Sequence, residues 1–316
     1  MSSPRHTAVV ALGGNALAPS GEPPTIANQF RHTREALGPI VELALEGWDV
    51  CVVHGNGPQV GDEIVRHEVA RHESPPLPLG VLVAATAGWI GYMIQQSLEN
   101  ALRRSGSDRH VATIITQVQV DPADPALANP TKFIGQEVPA ERAKELEAEG
   151  HVLKTDGNGH LRRVVGSPAP LAIHEIGTIR RLVEDGTVII AGGGGGAPIY
   201  FDNHLQGWEG INAVVDKDLV AAVLARDLGA ELLVALTDVD AVYADWGKPT
   251  QRPLRQLTIA EAEAYDRAGA FGEGSMAPKV RAAVEFVRNA GGRAIITALR
   301  HGMEAVRGHA GTTITS

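Results

Sequence analysis

Short β-branched runs recur along this chain with helix-length segments between them, and that rhythm limits the fold more than any other feature. The runs are TAVVAL near 7–12, DVCVVH at 49–54, HVATIITQV at 110–118, TVIIA at 187–191, ELLVALT at 231–237 and RAIITAL at 293–299. Most intervening segments carry apolar residues at helical spacing, as in QFRHTREALGPIVELALEG (29–47) and DLVAAVLARDLGA (218–230). Strands apolar on both faces that alternate with helices imply an α/β fold with a mostly parallel sheet covered by helices. Helix punctuation agrees. Thr258 and Glu261 form a capping-box pattern, and Gly291 and Gly292 follow the 278–290 helix pattern where a stop belongs.

One segment breaks the rhythm. From Asp121 to about Val165 the chain is first Pro-rich, then carries a charged helix (PAERAKELEAEG), then two strand-like arms around Asp156-Gly157-Asn158-Gly159. That turn sequence is a hairpin signal, and the segment reads as a small excursion from the main sheet. The glycine run Gly192–Gly196 is the one candidate tether, yet Pro198, Ile199 and Tyr200 follow it almost at once. A solvated linker would not favour them.

Composition narrows the function. With 44% hydrophobic and 21% charged residues the chain reads as an ordinary globular protein. A net charge of −9 argues against a nucleic-acid partner, which needs a basic footprint. Small anions need only local positive charge. A single cysteine, Cys51, excludes an internal disulfide and reads as a buried core thiol in a reducing compartment. The start MSSPRHTAVV has no apolar signal-like region, and no run of about 18 apolar residues occurs. A cytoplasmic protein with no membrane partner is expected.

Three glycine-rich loops each follow a strand: VVALGGNAL, VVHGNGPQVG and VIIAGGGGG. In parallel α/β sheets ligands bind at the carboxyl ends of strands. Glycine there lets backbone N–H groups approach an anion, and a following helix N-terminus adds positive potential. Together the three loops point to a site for a small anion and a polyphosphate. No G-x-x-x-x-G-K-[ST] occurs, and Val60 stands where a dinucleotide fingerprint needs its third glycine.

Phosphate chemistry also needs positive charge aimed at the transferring group. Lys132 lies in NPTKFIG within the excursion, and Lys217 and Lys279 stand at expected helix starts. Asp216 and Asp218 flank Lys217. They can simply cap the helix, or Asp218 can orient lysines that would otherwise repel near a shared phosphate. His67 and His72 are five residues apart, about 140° round a helix, so they cannot share a ligand face and read as surface residues. Arg162 and Arg163 in HLRRVV read as a solvated hairpin face.

Taken together, these motifs resemble the amino acid kinase superfamily, and within it the carbamate kinases. VVALGGNAL, HGNGPQVG, the stretch from VATIITQVQV to NPTKFIG, RRVVGSPAP, AGGGGGAPI, VVDKDLVA, LTDVDAVY, GSMAPKV, AIIT and GTTIT stand in family order over nearly the whole chain. Gly166 occupies a place where the family often has proline. The resemblance implies a single domain over 1–316, an open αβα sandwich with a small protruding subdomain at about 121–165. It implies an N-terminal half (about 1–205) for carbamate or carbamoyl phosphate and a C-terminal half (about 206–316) for ATP or ADP. Mg2+ would travel with the nucleotide, held mainly by phosphate oxygens, so no residue is assigned to a metal. A homodimer is also implied, as is catabolic ATP formation in arginine degradation.

The same resemblance suggests roles. Gly13, Gly14, Asn15, Gly55, Asn56 and Gly57 would bind the small substrate through backbone N–H groups, and Gly193, Gly194 and Gly195 would wall the cavity. Lys217 and Lys279 would neutralise phosphate charge, with Asp218 holding them. Asp216, Thr237, Asp238, Tyr243, Met276 and Pro278 would border the nucleotide. Many superfamily members carry a lysine on the first strand before the glycines. This chain has VVALGG there, so Lys132 of the subdomain would replace it. Carbamate is already an anionic nucleophile, so no general base is required. The rivals are a kinase of another small carboxylate or phosphonate, and a non-catalytic sensor on the same fold.

Overall fold

The computed structural model describes residues 6–316 apart from Ser20, Asn158 and residues 272–275. From the N-terminus, β1 (Thr7–Leu12) is followed by α1 (Gly14–Leu17), α2 (Ile26–Ala36) and α3 (Gly38–Leu45). β2 (Asp49–His54) leads into α4 (Gly57–Ala70) and the long α5 (Leu79–Arg104); β3 (Val111–Thr113) and β4 (Gln117–Val120) follow. Next come α6 (Pro125–Ala128), β5 (Lys132–Glu137), α7 (Ala140–Ala148), β6 (Val152–Thr155) and β7 (Leu161–Val165). The chain continues through β8 (Pro170–Ile173), α8 (Ile176–Glu184), β9 (Val188–Ile190), β10 (Ala197–Asp202), β11 (Gly207–Gly210) and α9 (Lys217–Leu228). After these lie β12 (Leu232–Thr237), β13 (Val242–Ala244), β14 (Arg252–Leu254), β15 (Gln256–Thr258), α10 (Ile259–Arg267), α11 (Met276–Ala290), β16 (Arg293–Ala298), α12 (Gly302–Val306) and β17 (Thr312–Thr315).

Eight strands form the central sheet in the order β15-β17-β16-β12-β1-β2-β9-β3, and every neighbouring pair is parallel except β16 with β17. β1 explains the layering. Its residues alternate between faces with the period of two that a strand imposes. Val9 and Ala11 pack in one core with Val220 and Leu224 of α9 and Val280 and Phe286 of α11. Ala8 and Val10 pack in the other with Ile40 and Leu43 of α3 and Ile90 and Ile94 of α5. Helices therefore cover both faces, and the fold is an αβα sandwich. Cys51 is fully buried in the first core, and burial pushes its thiol up to about 12. The Thr258–Glu261 capping box is present at α10. Among the described residues no helix is long and apolar enough to cross a membrane.

Two expected elements divide. The 29–47 pattern is two helices, because Pro39 stands in the first turn of α3 and a proline ring cannot sit inside a continuous helix. The 110–118 run feeds two sheets: β3 joins the central sheet, whereas β4 joins a four-stranded sheet ordered β11-β10-β4-β8. Thr116 pins the corner, donating its hydroxyl proton to the Ile114 carbonyl (3.0 Å) and accepting the Gly192 N–H (2.8 Å).

That second bond also anchors the glycine run, which is a packed wall. All five glycines are buried. Gly195 has φ +88°, and a Cβ there would fall 2.0 Å from the Val215 carbonyl oxygen. No other residue type fits such a position.

The excursion forms its own antiparallel sheet, β5-β7-β6, with α7 beside it. It docks on α4. Gly135 of β5 lies so close to Gly61 of α4 that a Cβ on Gly61 would fall 2.1 Å from the Gly135 Cα. Around that contact Arg163 and Arg142 both bind Glu68, Gln136 donates to Asp62 (2.9 Å), and Arg71 binds Glu149 (2.5 Å). Arg162 and Arg163 are therefore not a solvated face. Their side chains are 29% and 12% exposed, because β7 is the middle strand and turns them toward the body of the protein.

This contact is testable without touching the core. Alanine favours a helix interior over glycine by roughly 1 kcal/mol, so Gly61→Ala leaves α4 intact while displacing β5. The expected result is a urea unfolding free energy within about 1 kcal/mol of wild type, with amide exchange in β5 faster by about tenfold. Unchanged β5 exchange would mean that the subdomain absorbs the methyl group without undocking.

Candidate active site

Parallel strands bring three loop–helix junctions to one end of the sheet. After β1 come Gly13 and Gly14; after β2 come Gly55, Asn56 and Gly57; after β9 comes the glycine run. The first two touch, since a Cβ on Gly55 would lie 2.9 Å from the Gly14 nitrogen. Not every glycine amide here is available. Gly13 donates to the Leu236 carbonyl (3.2 Å) and Gly55 to the Leu12 carbonyl (3.0 Å), so these two extend the sheet's own hydrogen bonds. Gly14 and Gly57 are the first residues of α1 and α4, where helical geometry leaves amides unpaired. Asn56 is buried and ties its side-chain amide to the Thr86 hydroxyl of α5 (2.8 Å), which turns its side chain away from capping α4.

The charges gather at the start of α9. Asp216 is the N-cap; its Oδ1 accepts from the amides of Asp218 (2.8 Å) and Leu219 (3.3 Å), and its Oδ2 binds Lys132. Asp218 accepts Lys217 on Oδ1 (2.6 Å) and Lys279, from α11, on Oδ2 (3.3 Å). Among the described side chains of this cluster, three ammonium groups meet two carboxylates. The cluster thus carries excess positive charge in a largely buried place, an arrangement suited to an anion.

Burial alone would raise the Asp216 carboxyl, but Lys132 and Lys217 beside it outweigh burial and hold it at about 2. Burial lowers the Lys279 ammonium, and Lys217 lowers it further, against the pull of Asp218 and Asp216. His54 is also buried and is held neutral, at about 4. It donates to the Gly55 carbonyl (3.1 Å) behind the wall, so it is no proton-transfer group for the cavity.

A cavity of about 660 Å³ opens over these groups. Gly14, Gly55, Asn56, Gly57, Gly194, Lys132, Asp216, Lys217, Asp218, Pro278 and Lys279 line it. Gly13, Gly193 and Gly195 are not on its surface. Neither are Thr237, Asp238, Tyr243 and Met276. Tyr243 donates to Asp240 (2.7 Å) and packs edge-on against Trp246 (5.3 Å), while Met276 packs on the core. The side chain of Asn15, and Gly274 and Ser275 of GSMAPKV, lie outside the described residues. Glu22, Asp62, Phe133, Gln136 and Arg162 also line the cavity. Sequence reasoning missed them because they come from four separate segments, with only Phe133 and Gln136 sharing β5; the arginine pair of HLRRVV was the one visible signal.

Among the described residues no group of three or more His, Cys, Asp or Glu side chains could hold a metal ion. Every carboxylate oxygen of Asp216 and Asp218 already accepts an N–H donor.

The Asp216 pair has a pH signature. Its folded value of about 2 lies below the ordinary 3.8, so its contribution is present above pH 4 and lost as pH falls through 2. Between pH 4 and 2 wild type should lose about 2 kcal/mol more stability than Asp216→Asn, measured by urea unfolding at each pH. Equal acid slopes in the two proteins would remove the Lys132–Asp216 pair from the folded state.

Residues 6–298 match the sequence profile of the amino acid kinase family. A carbamate kinase of Pyrococcus horikoshii is 44% identical over 310 residues, covering 97% of this chain and 98% of that protein. The structure of carbamate kinase from Giardia lamblia bound to citric acid superposes with a TM-score of 0.92 at 37% identity, covering 98% of each chain. The same enzyme bound to AMP-PNP gives 0.90 over 98% of each chain. This chain belongs to the amino acid kinase family and is similar over nearly its whole length to carbamate kinases.

Proposed function

We propose that the chain is a carbamate kinase, transferring a phosphoryl group reversibly between ATP and carbamate. The observation that carries this reading is the cluster at α9: three ammonium groups share two carboxylates and face a cavity lined by glycine loops. The near full-length likeness to carbamate kinases supports it.

In this reading a carbamate oxygen attacks the terminal phosphorus in line, and the bond to the ADP oxygen breaks. Negative charge spreads over the equatorial phosphoryl oxygens. Lys132, Lys217 and Lys279 neutralise that charge, and Asp218 holds two of them against their mutual repulsion. The amides of Gly14, Asn15, Asn56, Gly57 and Gly194 hold the small acid and the transferring group. Gly13, Gly55, Gly193 and Gly195 support those amides from behind. Pro278 and Asp216 border the nucleotide, with Thr237, Asp238, Tyr243 and Met276 further along the same side. The half up to about residue 205 receives carbamate or carbamoyl phosphate, and the half from about 206 receives the nucleotide. Strand order supports this division, since β3, β9, β2 and β1 occupy one side of the sheet and β12, β16, β17 and β15 the other. Mg2+ enters with ATP or ADP. A cytoplasmic homodimer making ATP from carbamoyl phosphate in arginine degradation is part of the same reading.

The test is ATP formation from ADP, Mg2+ and carbamoyl phosphate, with acetyl phosphate as a control donor. Rapid turnover with carbamoyl phosphate alone is expected. Lys132→Ala should lower it by about two to three orders of magnitude, the scale of losing one transition-state donor, and Lys279→Ala should abolish it. No ATP from a folded protein that binds ADP would overturn the substrate, and near-normal Lys132→Ala turnover would remove that residue.

A further inference from the structure

One cation on the cavity wall has no place in the arrangement above. Arg162, on β7 of the subdomain, lines the same cavity as Lys132, Lys217 and Lys279. Three contacts orient it. One terminal nitrogen donates to the Gly135 carbonyl (2.6 Å), the other lies 3.6 Å from the Asp156 carboxylate, and the guanidinium carbon sits 5.5 Å from the Phe133 ring centroid. The Gly135 carbonyl is in reach because β5 is irregular there. The register runs from Ile134 opposite Arg163 to Glu137 opposite Arg162, and Gly135 has φ +69°.

These contacts do not satisfy the group. The Nε atom is buried and has no hydrogen-bond partner among the described residues. A buried unpaired donor costs about 1–3 kcal/mol, more when charged, and native structures keep few of them. The side chain is 29% exposed and lines the cavity. At 3.6 Å the pair with Asp156 is longer than a hydrogen bond. A guanidinium is planar with donors in a fixed fork, which suits a planar carboxylate-type oxyanion better than a point charge does. The three lysines are point charges, whereas Arg162 supplies the planar element that they lack.

We propose that Arg162 is a substrate-binding residue for the small oxyanion, carried on the subdomain with Lys132. This rests on the kinase reading above. The subdomain thus brings two chemically different cations to the cavity: Lys132 beside the α9 carboxylates and Arg162 for the acid.

The experiment uses the full chain as Arg162→Gln and Arg162→Lys, with two readouts. In steady-state kinetics, Arg162→Gln should raise KM for carbamoyl phosphate about tenfold or more, with KM for ADP within about twofold and a smaller change in kcat. Arg162→Lys keeps the charge without the fork and should fall between the two; it carries the same comparison if the glutamine protein does not fold. In thermal unfolding, bicarbonate, a planar oxyanion of carbamate's shape, should raise Tm of wild type, and Arg162→Gln should lose most of that rise while keeping the rise due to ADP. A role in folding alone would shift both KM values together or neither. Equal shifts in the two KM values, or an unchanged carbamoyl phosphate KM with an unchanged bicarbonate response, would overturn the assignment. If wild type makes no ATP from carbamoyl phosphate, the kinase reading fails, and the bicarbonate response still decides Arg162.

Discussion

The sharing of Asp218 between Lys217 and Lys279 is the interaction on which the rest of this structure depends. Two ammonium groups brought together in a buried pocket repel, and burial opposes the charge of each. One carboxylate, with one oxygen for each lysine at 2.6 and 3.3 Å, makes the pair tolerable. The start of a helix suits that carboxylate, because the helix dipole favours negative charge there. Asp216 completes the device. It caps α9 with one oxygen and reaches Lys132 with the other, so the same turn that begins the helix also holds the subdomain over the cavity.

The cavity itself is made by the absence of side chains. Gly55 meets Gly14, Gly194 meets the Asn56 side chain, and Gly195 meets the Val215 carbonyl, each closer than a Cβ would allow. Parallel strands deliver their loops to one end of the sheet, and small residues let those loops close against each other. Gly61 against Gly135 repeats the device at the docking surface of the subdomain. The Lys132 position therefore depends on backbone packing on one side and an ion pair on the other.

Much of this was legible in the residues. β1, β2, β9, β12 and β16 fall within about one residue of the β-branched runs, because strands buried on both faces must be apolar throughout. The hairpin of β6 and β7 and the cap of α10 were legible for a similar reason, since their chemistry is local. The failures came where one residue inside an apolar run, or a neighbour distant in sequence, decides. Pro39 divides a helix whose apolar spacing runs on through it. Thr116 turns a single β-branched run into strands of two sheets. Arg162 and Arg163 looked solvated because nothing near them in sequence indicates Glu68 or the Gly135 carbonyl. The amides of Gly13 and Gly55 looked available until the neighbouring strands were in place to accept from them.

By itself the sequence determined the class of fold, the family, and the kinds of residue at the site, because periodicity, turn chemistry and ordered motifs are local or linear properties. Tertiary structure alone decided which charges meet. That Lys132 reaches Asp216 across 84 residues, that Asp218 serves two lysines, and that Arg162 faces the cavity are outcomes of packing one element on another. The physical reason is that an ion pair or an unpaired donor is a property of distance and burial, and neither exists until the chain has folded.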